Sequence, residues 1–354
     1  MGIVFRAVDP VIDRQVAIKT IRLDDWTDPK EKAWLRERLF REAQSAGILS
    51  HPNIVTVYQI AEQEDVAYIA MEFVCGPNLE QALSGSKALE PRALLEVVRQ
   101  IAAALDYAHS KGIVHRDVKP ANVIFAENGD VKITDFGIAK LSLAPRATRT
   151  GVMIGTPLYM SPEQIQGKPV DGRADQFSLA VMAFAMLTGV KPFDADTLTA
   201  LFFKVVYEDP PPVLGFNPTL SVQIEAALHK ALAKGPEARF ATCTEFSKAL
   251  ANACATAERW RPMLPVMRGS QVAASAMLDR PTVTPVPSTV QRGAVQQCPG
   301  CRAALAGPRL ACPIHQDEAH QVRRYSVEVR PAFPVLMVLL HQPQVGLVNQ
   351  GGGL

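Results

Sequence analysis

Apolar and polar residues alternate in short bursts along the first part of the chain. Ile3 to Val8 and Gln15 to Ile21 alternate as half-buried strands do, with the turn residues Asp9, Pro10 and Asp13 between them. From Pro29 to Leu49 the period lengthens to that of a helix, with Trp34, Leu35, Leu39, Ala43 and Ala46 on one face. His51-Pro52-Asn53 breaks this pattern, and Ile54 to Ala61 and Val66 to Phe73 read as a strand pair.

From Gly76 onward the pattern is mainly helical. Pro91 to Ser110 carries Leu94, Val97, Val98, Ile101, Leu105 and Ala108 at helical spacing. Ala174 to Thr188 is almost wholly apolar, which predicts a helix buried on all sides. Leu198 to Tyr207, Val222 to Ala233 and Cys243 to Ala255 are further helices. Val123 to Phe125 and Val131 to Thr134 are short strands.

Composition narrows the classes. The chain has 354 residues, 37 Lys plus Arg against 35 Asp plus Glu, and a formal charge of +2. That balance argues against nucleic-acid binding through a global basic field. Hydrophobic residues at 48% and charged residues at 20% fit a folded protein. Six cysteines in this length do not make a disulfide scaffold. No signal peptide opens the chain, and the apolar run Pro334 to Leu340 is far too short to span a membrane. A cytoplasmic location is expected.

After Arg261 no lysine occurs, and Pro281, Pro285 and Pro287 mark an extended linker. The expected division is 1–73, 74–258, a flexible linker over 259–295, a small unit over 296–320 and a tail over 321–354.

Four polar blocks follow one another among these elements. Lys19 ends the strand segment Val16-Ala17-Ile18, and Glu42 lies in the helix after it. The run His115-Arg116-Asp117-Val118-Lys119-Pro120-Ala121-Asn122 connects a helix to a strand, and Asp135-Phe136-Gly137 follows the next strand. Taken singly, Lys19 reads equally well as a surface lysine and Glu42 as solvated helix face. Together they supply what phosphoryl transfer needs: a lysine to hold phosphates and a carboxylate to orient it, oxygen ligands for a divalent cation, and a base for the acceptor hydroxyl. Asn122 and Asp135 would be the Mg²⁺ ligands, Lys19 with Glu42 the phosphate clamp and Asp117 the base.

In that order and spacing, the blocks resemble the eukaryotic-type protein kinases, and most of all the bacterial Ser/Thr kinases of that family, from Gly2 to about Ala255. The resemblance implies an α+β fold of two lobes, a small β-rich one with one helix and a large mainly helical one. It implies ATP and Mg²⁺ as cofactors, and protein Ser/Thr hydroxyls as acceptors in signalling. Met71-Glu72-Phe73-Val74 is similar to the hinge that receives adenine, with Met71 as gatekeeper and the backbone of Glu72 and Val74 as hydrogen-bonding groups. Val4 and Ala17 would lie against the nucleotide. Gly155 to Glu163 resembles the end of the activation loop, with Ser161 where alanine is more usual. Asp175 resembles the buried aspartate that braces the catalytic loop, and Arg239 the arginine that pairs with Glu163. Lys119 and Thr156 imply Ser/Thr specificity. Arg116 implies regulation by a phosphorylated loop residue, Thr148 or Thr150, through autophosphorylation.

Two features depart from the family. The glycine-rich loop should read Gly-x-Gly-x-x-Gly-x-Val, and only Gly2-Ile3-Val4 is present, so an earlier strand and two glycines are expected upstream of a misassigned start, or are truly lost. A catalytically impaired pseudokinase or scaffold is therefore the first rival, and a small-molecule kinase the second. The tail adds Cys298-Pro299-Gly300-Cys301 and Cys312-Pro313-Ile314-His315, two short-spaced pairs suited to structural Zn²⁺ in a ribbon or knuckle, with free thiols as the alternative. Cys75, Cys243 and Cys254 read as small buried residues.

Overall fold

The computed structural model describes residues 3–23, 28–63, 66–85, 88–136, 157–257 and 259–264. Gly2, Gly137, Thr148, Thr150, Thr156 and everything after Leu264, including the linker and the Cys298 to His315 motif, lie outside the described residues.

The alternating segments form an antiparallel sheet. Strands β1 (Ile3–Asp9), β2 (Arg14–Arg22), β3 (Val57–Gln63) and β4 (Val66–Glu72) are ordered β1-β2-β4-β3. In β2 the alternation sends Val16 and Ile18 to one face, where they pack with Ala7 and Tyr68. The other face carries Ala17 and Lys19. Its register sets Lys19 between Val4 and Ile69, and Ala17 beside Met71.

Helix α1 (Pro29–Gly47) is capped by Asp28, whose carboxylate accepts from the Lys30 amide at 2.9 Å. Its stripe of Leu35, Leu39 and Ala43 packs with Leu23, Ala67 and Ile69. Burying each leucine contributes about 2 kcal/mol. Trp34, expected on that stripe, is 44% exposed instead. It sits one residue before Leu35 and so about a quarter-turn off the buried line, next to Arg38.

The predicted strand from Ile54 begins later, at Val57. Asn53 is the cause. Its side chain donates to Gln100 Oε1 and to the Val131 carbonyl, both at 2.8 Å, and its carbonyl accepts from the Ile133 amide. Residues 53–55 therefore pair with the hairpin of β5 (Val123–Phe125) and β6 (Val131–Ile133) before the chain enters the sheet.

The larger part is built on α3 (Pro91–Ser110), preceded by the short α2 (Leu79–Leu83). After the short α4 (Pro162–Ile165) comes α5 (Gly172–Thr188), buried on all sides as its sequence predicts. Helices α6 (Leu198–Tyr207), α7 (Val222–Ala231) and α8 (Cys243–Ala255) complete it. The core joins Leu94, Ile101, Phe177, Phe184, Leu228 and Phe246. This is the two-lobed α+β architecture that the resemblance implied.

The packed chain continues past residue 258, where the linker was expected to start. Trp260 is buried in the core, the Arg261 carbonyl accepts from Asn217 Nδ2 at 2.7 Å, and the Met263 amide donates to the Leu187 carbonyl. Gly189 ends α5 in the left-handed conformation at φ 75° and lies directly against the Leu264 carbonyl, so no larger residue fits there. Among the described residues no helix is long and apolar enough to cross a membrane.

Candidate active site

The loop between α3 and β5 is held from beneath by one carboxylate. Asp175 of α5, with no exposed surface, accepts from the His115 amide at 2.8 Å and from the Arg116 amide at 2.7 Å. Its Oδ2 also meets His109 Nε2 at 2.7 Å. A buried charge with three such partners is paired rather than wasted. This grip holds Arg116 in the left-handed region at φ 68°, a conformation that costs about 1–2 kcal/mol for a residue with a Cβ.

Asp117 follows and is part-exposed, with its Oδ2 receiving Lys119 Nζ at 2.7 Å and Asn122 Nδ2 at 3.0 Å. Asn122 Nδ2 also donates to the Asp117 carbonyl at 2.9 Å. A turn of 3₁₀ helix at Pro120–Asn122 bends Asn122 back to make these bonds. Asp135, just after β6, is a second left-handed residue, at φ 66°. Phe136 beyond it is buried with its ring 4.5 Å from that of His115, and His115 Nε2 bonds the Thr134 carbonyl at 2.9 Å. The two strained residues are thus fixed by one small set of contacts.

Lys19 reaches this group from the sheet. Its Nζ donates to Asp135 Oδ1 at 2.8 Å. Burial alone would raise the Asp135 carboxyl, but the Lys19 ammonium, joined by smaller pulls from His115 and Lys119, holds the group below its ordinary value. The expected Lys19–Glu42 pair is not formed: Glu42 Oε1 accepts instead from Arg38 Nε, one turn earlier on α1, at 3.2 Å. Two different carboxylates compete for the same lysine, and the structure pairs it with Asp135.

Met71 is 7% exposed and lines a pocket with Ala43, Ile54, Ile69, Thr134 and Phe136. Glu72 turns its side chain outward to Lys132, 2.9 Å away, and Val74 follows it half-buried. Cys75, expected to be buried, is exposed because the chain leaves the sheet there; Cys243 and Cys254 are buried.

Further supports come from residues far apart in sequence. Glu163 and Arg239 form a buried bidentate pair, both bonds at 2.8 Å. Gln164 Nε2 donates to the Arg116 carbonyl at 2.8 Å, tying α4 to the loop. His109 lies between Asp175 and Asp106, and Asp106 in turn accepts from the Cys243 and Thr244 amides. Burial lowers the His109 pKa, yet the two carboxylates more than reverse this and lift it to about 9. Asp106 and His109 were not singled out from sequence, since their partners lie dozens of residues away.

The protein kinase domain matches residues 1–250 of the chain. The chain belongs to the protein kinase domain family. Relatives include the serine/threonine-protein kinase PrkC of Bacillus subtilis, 37% identical over 69% of this chain and 37% of that protein. The serine/threonine-protein kinase PknB of Mycobacterium leprae is 40% identical over 69% of this chain and 40% of its own length. A probable serine/threonine-protein kinase PknB of Corynebacterium glutamicum is 38% identical over 70% and 39%. The chain spans about two fifths of the length of these curated relatives.

The donor set of this kinase domain suits the Mg²⁺ that its family generally uses. Asp135 is held anionic, and Asn122 spends its nitrogen on Asp117, which leaves its amide oxygen as the atom to offer a cation. Both are hard oxygen ligands, and Mg²⁺ commonly takes one or two such groups together with phosphates.

Proposed function

We propose that the chain is an ATP-dependent protein Ser/Thr kinase. The observation that carries this reading is the Asp117 carboxylate, part-exposed and gripped by Lys119 and Asn122 at 2.7 and 3.0 Å. Asp117 takes the proton of the acceptor hydroxyl as its oxygen bonds to the γ-phosphorus and ADP leaves. Lys119, against the same carboxylate, stabilises charge on the transferring group. Lys19 holds the α- and β-phosphates, and Glu42 orients Lys19 when the two meet. Asn122 and Asp135 would hold Mg²⁺, whose charge would offset that of the phosphates. Adenine lies along Met71 to Val74 against Ala17, with Val4 over the phosphates; Gly2 is assigned to the phosphates by resemblance alone.

Arg116 with Thr148 or Thr150 would give regulation by autophosphorylation, and Thr156 is assigned to Ser/Thr specificity by resemblance alone. Protein Ser/Thr side chains are the substrates. We assign residues 1–73 to the small lobe and place the lobe boundary at the hinge. Cys298, Cys301, Cys312 and His315 form a structural Zn²⁺ site, supported by their spacing alone. Metal analysis should give one zinc per chain, lost in Cys298→Ser; no zinc in the purified protein contradicts this assignment.

The kinase reading is tested with γ-labelled Mg-ATP and a generic protein acceptor, followed by phosphoamino-acid analysis. Label on serine or threonine is expected. A folded chain that binds Mg-ATP and transfers no label to protein contradicts the reading.

A further inference from the structure

We infer that Arg38 is a positioning residue that withholds Glu42 from Lys19, so that the pairing of Lys19 with Asp135 is maintained from α1. This rests on the kinase reading of the site.

Residues 34, 38 and 42 are spaced by four and lie in a row along α1. The Trp34 ring carries the Arg38 guanidinium 4.8 Å from its centroid, although Trp34 itself is 44% exposed. Arg38 in turn holds Glu42 Oε1 at 3.2 Å, with side chains 20% and 11% exposed. The ladder therefore runs from a solvent-facing aromatic ring inward to a carboxylate beside the site.

Glu42 is incompletely satisfied where it stands. Its Oε2 is buried and has no hydrogen-bond partner among the described residues, and the same is true of Arg116 Nε. Burial raises the Glu42 carboxyl above its ordinary value, against the pull of Arg38 and of the more distant Arg116. A half-paired buried carboxylate gains from any further cation it can reach.

Lys19 is the cation on the facing surface. Ala43, next to Glu42, packs with Ile69, which is the cross-strand neighbour of Lys19. Lys19 is committed to Asp135 while Arg38 neutralises Glu42. Without the Arg38 charge, Glu42 becomes the less satisfied of the two carboxylates and draws Lys19 to itself. Asp135 is then released to a cation. Arg38 thus acts through Glu42 and touches neither nucleotide nor acceptor.

The test is a mutant cycle read by two methods: calorimetric titration with Mg-ADP, and kcat/KM for ATP with a generic protein acceptor. Arg38→Met should tighten Mg-ADP and raise kcat/KM by about fivefold, the scale of one partly buried ion pair. Trp34→Leu, a change at an exposed position that preserves folding, should move both in the same direction by about twofold. Arg38→Lys should stay near wild type, and in a Glu42→Gln background Arg38→Met should change nothing. Mg-ADP affinity unchanged or weakened in folded Arg38→Met and Trp34→Leu overturns the inference, as does an Arg38→Met gain that persists without the Glu42 charge. Because the titration needs no turnover, a chain that binds Mg-ADP but transfers no phosphate would sink the kinase reading and leave this outcome separately readable.

Discussion

Lys19 Nζ and Asp135 Oδ1 stand 2.8 Å apart, so the lysine of β2 is paired with the carboxylate after β6 and not with Glu42 of α1. This pair is what holds the Asp135 carboxyl below its ordinary value despite burial. A carboxylate lowered in this way contributes stability above its unfolded value of about 3.8, lost as pH falls through its folded value. In Lys19→Met the strongest opposition to burial is gone, with His115 and Lys119 remaining, and the carboxyl rises. The stability that wild type gains over Lys19→Met, read from urea unfolding, should be widest above the unfolded value and narrow as pH falls below it, and Mg-ADP binding should weaken by about tenfold or more. A gap that does not change with pH would show that the pair does not set the Asp135 charge.

The Glu163–Arg239 pair is buried on both sides, and Arg239 also donates to the Ala233, Arg173 and Lys234 carbonyls. Removing one partner strands the other. Arg239→Ala or Glu163→Ala should cost about 3–5 kcal/mol in urea unfolding. The double variant should cost less than the sum of the singles, because it leaves no charge unpaired.

His109 gives the fold a pH dependence on the alkaline side. Its pKa rises from the ordinary 6.5 to about 9 between Asp106 and Asp175, with Cys243 and Arg116 the other titratable groups nearby. A raised folded value means that the stabilisation is complete below 6.5 and disappears as pH climbs through about 9. Its size is of the order of 3 kcal/mol at most. Melting temperatures of wild type should fall between pH 7 and 10 more steeply than those of His109→Gln. Parallel slopes would contradict the pairing.

Much of the fold could be read from local pattern. The apolar run of α5, the alternation of β2 and the helical spacing of α3 all decide their own structure, because each element buries the face its sequence marks. The ordered blocks around Lys19, Asp117 and Asp135 likewise lay where the structure brings them together. What escaped was relational. Trp34 is apolar and borders the helical stripe, yet it lies about a quarter-turn off the buried line, where Arg38 offers its ring a partner at the surface. Ile54 looks like the start of a strand, but Asn53 anchors that stretch to β6. Glu42 could pair with Lys19 or with Arg38, and the choice depends on burial and competing charges that a linear pattern does not carry. The Asp106–His109–Asp175 chain needs α3 and α5, far apart in sequence, brought together before it exists.

The central claim is that Asp117 is the base of a phosphoryl transfer to protein hydroxyls. The most direct measurement compares wild type with Asp117→Asn in transfer of the γ-phosphoryl group from Mg-ATP to a protein acceptor, with Mg-ADP affinity determined on the same samples. The substitution keeps the side chain's shape and removes its charge, so transfer should drop by a factor of about 100 or more while Mg-ADP affinity stays within about threefold. Transfer by the Asp117→Asn protein at the wild-type rate, with nucleotide binding intact, would contradict the account.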